Sequence, residues 1–121
     1  MVTVNIVQYL NNEGDEVLLE LSSEEVRVYA FCYPFADKNK KVVDKVTLYG
    51  LFTHNIGPSS TWHPPCRTSE TSFAHHIYAK IINAKERLVS LGEIDIILDS
   101  AIDSSYPPGS FVSFDVIRLD Y

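Results

Sequence analysis

Apolar side chains recur at every second residue along most of this 121-residue chain, and that period limits the fold more than any other feature. Period two belongs to β-strands, whose successive side chains point to opposite faces. Residues 110–119, SFVSFDVIRL, place Val112, Phe114 and Val116 on one face and Phe111, Ser113, Asp115 and Ile117 on the other. The first face stays apolar until Arg118, which belongs at the sheet rim. Val2, Val4 and Ile6 open a first strand ending near Tyr9, and EVLLEL (16–21) and EIDIIL (93–98) read the same way. Residues 26–33, VRVYAFCY, are apolar in both phases: Val26, Val28, Ala30 and Cys32 against Tyr29, Phe31 and Tyr33. A strand of that kind is covered on both sides or stands in a barrel wall. Residues 42–54 read as one further strand in which Gly50 marks a bulge or a bend.

Residues 69–100 fit two structures. As a helix, Ile77, Ile81, Ala84, Leu88 and Leu91 form one apolar stripe, with Ser69 or Thr71 as cap and Gly92 as stop. As strands, residues 76–82 run into a turn at Asn83–Glu86 and return from Arg87. The surrounding period favours strands. The fold expected is therefore mainly β: a small barrel resembling an oligonucleotide/oligosaccharide-binding (OB) fold, or a strongly curled antiparallel sheet, of about six to eight strands. The alternative is α+β with one helix over residues 70–91. Either way the length fits a single domain, residues 1–121.

Two irregular stretches interrupt the strands. Residues 55–71, NIGPSSTWHPPCRTSET, hold Gly57-Pro58, Pro64-Pro65 and the chain's one tryptophan, Trp62. Unstructured connections of that length are uncommon and usually functional or disordered. The indole either plugs the core or anchors a partner. Residues 100–109 form the second stretch, with Asp103 and Tyr106. Residues 36–41, ADKNKK, read as a solvated loop tip.

Charge narrows the partners. Residues 1–60 and 61–121 each carry eight acids and five bases, so neither half has the excess of positive charge that grips a phosphate backbone. Tyr29, Phe31, Tyr33, Tyr49 and Phe52 have the chemistry to stack bases, but read more simply as core packing. A net charge of −6 favours solubility and a basic protein partner. Two cysteines are too few for a disulfide framework, and no leader or membrane-length apolar run is visible. The expected location is cytoplasmic.

Catalytic signals are weak. His63-x-x-Cys66, with His75 and His76, has the donor types of a zinc site but no second Cys-x-x-Cys. Cys66 near His75 or His54 has the parts of a thiol nucleophile. No Gly-rich phosphate loop or nucleophile elbow is present. The reading is a non-enzymatic binding protein without cofactor or metal. It engages a protein through Trp62, His63, Asp99, Asp103 and Tyr106, in the manner of an acidic antidote that neutralises a toxin. The alternatives are a single-stranded nucleic-acid-binding domain of the OB type and a zinc-binding domain.

Overall fold

A computed structural model describes residues 1–24, 26–35, 41–69 and 72–121. The lysine-bearing tip at 36–40, Glu25, and the proposed helix cap Thr71 lie outside the described residues. Among the described residues twelve strands form, in chain order: β1 (Val2–Tyr9), β2 (Val17–Ser23), β3 (Val26–Cys32), β4 (Val42–Val43), β5 (Val46–Leu51), β6 (His54–Pro58), β7 (Cys66–Arg67), β8 (His75–Asn83), β9 (Leu88–Ser90), β10 (Ile94–Leu98), β11 (Phe111–Val116) and β12 (Arg118–Asp120). They make one open, mixed sheet in the order β4-β1-β2-β3-β12-β5-β10-β9-β8-β11-β6, with β7 joined to β8 off that path. The strand total exceeds the six to eight expected, since β4, β7, β9 and β12 span only two or three residues each and carry no readable period.

No helix forms among the described residues, so the helical reading of 70–91 fails. Ile77, Ala79 and Ile81 are buried in strand phase on β8, while Ala84 to Arg87 form the turn into β9. The return runs as two strands, because Gly92, at φ 109, turns the chain between β9 and β10. Most pairings are antiparallel, but β10 runs parallel to β5 and β12 parallel to β3.

One face of each of β1, β2, β3, β5, β8, β10 and β11 feeds one core. It includes Val17, Leu19 and Leu21 of β2, Val28 and Ala30 of β3, Leu48 of β5, Ile94, Ile96 and Leu98 of β10, and Phe114 of β11. A sheet can bury one face against itself only by bending over. Strands distant in the order accordingly meet: the Tyr29 amide of β3 donates to His75 Nε2 of β8 (3.1 Å), and the Arg67 guanidinium of β7 lies 4.2 Å over the Tyr29 ring.

Three sequence expectations change here. Gly50 is neither bulge nor bend. It lies in the core, where a Cβ would sit 3.2 Å from Val116 Cγ1 and 3.3 Å from both Ile96 Cγ2 and Leu98 Cδ2. Residues 42–54 divide into β4, β5 and the start of β6. Gly57-Pro58 is not a break but the end of β6, paired with Ser113 and Val112. Proline is tolerated there because β6 closes one edge of the sheet, where no amide hydrogen is needed.

The double apolar phase of β3 has a specific explanation. Its second face is covered by side chains: Arg67 over Tyr29, and Arg118 with its guanidinium 4.5 Å over Phe31. Arg118 is itself held by two bonds to Asp120, at 2.7 and 3.0 Å. These stacked cations leave Tyr29 and Phe31 half-buried, with Tyr33 beyond them in solvent.

Candidate functional site

The turn from β5 to β6 carries the largest conflict between sequence period and structure. Val46, Leu48 and Gly50 face the core, and the same phase would send Phe52 inward. Phe52 instead adopts φ 54 and is 68% exposed. A left-handed backbone at a bulky residue costs about 1 kcal/mol or more and persists only where its surroundings enforce it. Asp99 supplies that constraint. Its two carboxylate oxygens accept the amide hydrogens of Phe52 (2.6 Å) and Thr53 (2.9 Å). Partial desolvation raises the Asp99 pKa, but the bonds from Thr53 and Phe52 outweigh it and hold the carboxyl below its ordinary range. His54 Nδ1 bonds the Phe52 carbonyl at 2.9 Å, and Ser100 donates to the Thr53 carbonyl at 3.0 Å.

Other apolar side chains are exposed nearby in the sequence and on the paired strand. Ile117, 52% exposed, donates its amide to Leu51, and Tyr49, 53% exposed, lies two residues before Leu51 on β5. A groove of about 240 Å³ beside the turn is lined by Tyr49, Leu51, Arg87, Ile97 and Asp99. The expectation that Tyr33, Tyr49 and Phe52 pack in the core is thus wrong: all three rings are exposed.

The sequence-derived contact residues divide differently from the grouping expected. Asp99 belongs to this site as the support of Phe52. Trp62 is half-buried against the core and lines two grooves of about 350 and 390 Å³ that share Leu91 and Gly92. His63 is exposed, bonded to the Thr61 hydroxyl at 3.2 Å, with its ring edge-on to Tyr78. Asp103 is used locally: the Ser105 amide donates to its carboxylate (2.9 Å), and bonds from Ser105 hold its pKa down. Tyr106 packs against the core. Trp62 and Asp99 therefore line separate grooves.

The proposed metal donors also separate. His75 is buried with both nitrogens in use, Nε2 accepting from Tyr29 and Nδ1 bonding the Phe73 carbonyl at 3.1 Å. Burial lowers its pKa from 6.5 to about 4, the Phe73 bond opposes, and Arg67 adds to the lowering. His76 lies on the opposite face of β8, bonded to Asp115 Oδ1 at 2.6 Å. Among the described residues no group of three or more His, Cys, Asp and Glu side chains is placed to hold a metal ion.

Fold and surfaces together define an all-β protein built on one open, mixed sheet, with an aromatic side chain held outward at a strained turn. No helix among the described residues is long and apolar enough to cross a membrane. No protein-family model, curated protein or solved structure matches the chain.

Proposed function

We propose that this chain is a non-enzymatic, acidic binding protein that engages a protein partner through the surface centred on Phe52. One observation carries the reading: a large apolar ring is held in solvent, in a costly backbone conformation, by a carboxylate whose two oxygens are both committed to that task. Strain of this kind without internal packing in return is expected where a partner supplies the missing contacts. Tyr49 and Ile117 extend the apolar centre, and Arg87 and Asp99 give it a polar rim. The net charge of −6 favours a basic partner, as for an antidote that covers a toxin's cationic site. The curled sheet then serves as an OB-like frame from which the β5–β6 turn projects.

Base stacking along β3 has less support, because Arg67 and Arg118 already occupy the faces of Tyr29 and Phe31. The test is photo-crosslinking in the native lysate with p-benzoylphenylalanine at position 52, and at exposed Val7 of β1 as control. The binding reading expects one basic protein crosslinked from position 52 but not from position 7, in a yield that falls with added salt. Equal yields from both positions, or capture that Phe52→Ala leaves unchanged when the crosslinker sits at Tyr49, would overturn it.

A further inference from the structure

The register of four strands assembles a second cluster, which meets the Phe52 turn only through His54. Cys66 of β7 pairs with His76 of β8, His76 with Asp115 of β11, and Asp115 with His54 of β6. Residues directly opposite on antiparallel strands project from the same face about 5 Å apart. Thiol, imidazole and carboxylate thus stand in one row on the outer face of the sheet. His76 Nδ1 is bonded to Asp115 Oδ1 at 2.6 Å, and the other Asp115 oxygen accepts from Asn55 Nδ2 at 3.0 Å. The Tyr78 ring meets the imidazole edge-on at 4.9 Å. With Nδ1 directed to β11, Nε2 is turned away from Asp115, toward the side on which β7 lies. The Cys66 thiol is exposed, and its bond to the Arg67 carbonyl, at 3.5 Å, is weak. Cys32, the chain's other cysteine, is buried, and burial raises its pKa.

We propose that Cys66 is a thiol–disulfide exchange site that takes up a small thiol from a low-molecular-weight disulfide, with His76 receiving the thiol proton and Asp115 holding the imidazole. The Sγ electron pair attacks one sulfur of the disulfide and forms a mixed disulfide on Cys66. The disulfide's S–S bond breaks, and its second sulfur leaves as a thiolate, which takes the proton from His76. Cys66 is oxidised, and the departing sulfur is reduced. Among the described residues, the other charged or titratable groups around the row are the Tyr78 phenol, His54 at its far end, His63 across the Tyr78 ring and Arg67, whose guanidinium is committed to Tyr29 and the Ser72 carbonyl.

The probe is 5,5′-dithiobis(2-nitrobenzoic acid), followed by release of its coloured thiolate between pH 6 and 9 on the intact protein. A peptide of the sequence HPPCRTS supplies the unassisted rate. The proposal expects one rapidly reacting thiol per chain, removed by Cys66→Ser. At neutral pH it reacts at least about threefold faster than the peptide. His76→Gln returns the rate to the peptide's value and its pH profile, and Asp115→Asn falls between. Melting curves of the variants establish that they fold, and the wild-type-to-peptide comparison stands without them. A wild-type rate at or below the peptide's, or a pH profile that His76→Gln leaves unmoved, would overturn the proposal.

Discussion

The buried histidine gives stability a pH dependence that can be worked from the structure. His75 is 1% exposed, and as a neutral ring it links β3 to β8 by accepting the Tyr29 amide. A proton on Nε2 removes that acceptor and places a charge against the core. Its native pKa of about 4 lies below the ordinary 6.5. Between those values the unfolded chain binds the proton and the native chain does not, so acid favours unfolding. The contribution is fully present above pH 6.5 and declines as pH falls toward 4, by about 3 kcal/mol in total. Below about 4 the native ring also protonates, and this dependence ends. Urea unfolding at half-unit steps from pH 7.5 to 4.5 measures it. The carboxylates with lowered pKa values, Glu93, Asp99, Asp103 and Asp115, act mainly below that range. His75→Gln is expected to flatten the slope while costing about 1–3 kcal/mol at pH 7.5 through imperfect pairing of the Tyr29 amide. A wild-type free energy that stays level across the window, or a slope that survives in the variant, would refute the reasoning.

Other substitutions probe separate parts of the molecule. Lys45→Met leaves the buried Asp95, bonded to Lys45 at 2.9 Å, without its counter-charge, and is expected to cost about 2 kcal/mol in urea unfolding, partly restored by adding Asp95→Asn. Gly50→Ala must push apart Val116, Ile96 and Leu98, so calorimetry should show a loss of about 1 kcal/mol and a melting temperature lower by about 3 °C. Asp99→Ala frees the amides of Phe52 and Thr53 and is expected to cost about 1–2 kcal/mol, with hydrogen exchange accelerated at those two amides.

Alternation made most of the sheet legible. The inward phase of Val112, Phe114 and Val116 is as the sequence implies, and Ile77, Ala79 and Ile81 follow the strand reading of an ambiguous stretch. Period alone failed where a single residue changes the chain's direction. Phe52 has the parity of a core residue, and only the left-handed turn, enforced by Asp99 from 47 positions away, sends it outward. Pro58 looked like a break because the sequence does not say that β6 lies at an edge. The row Cys66, His76, Asp115 and His54 depends on strand order and register, which arise from long-range pairing rather than local pattern. Trp62 was legible as an unusual loop residue, and its half-burial lies between the plug and the anchor its position suggested.

The claim that Phe52 is presented rather than packed is tested most directly by the unfolding free energy of Phe52→Gly. Glycine accepts φ 54 without strain, and an outward ring has little packing to lose. The variant is expected to match the wild type or gain about 0.5 kcal/mol. A loss of about 3 kcal/mol, the size expected for a buried aromatic, would show that the ring belongs to the core and contradict the account.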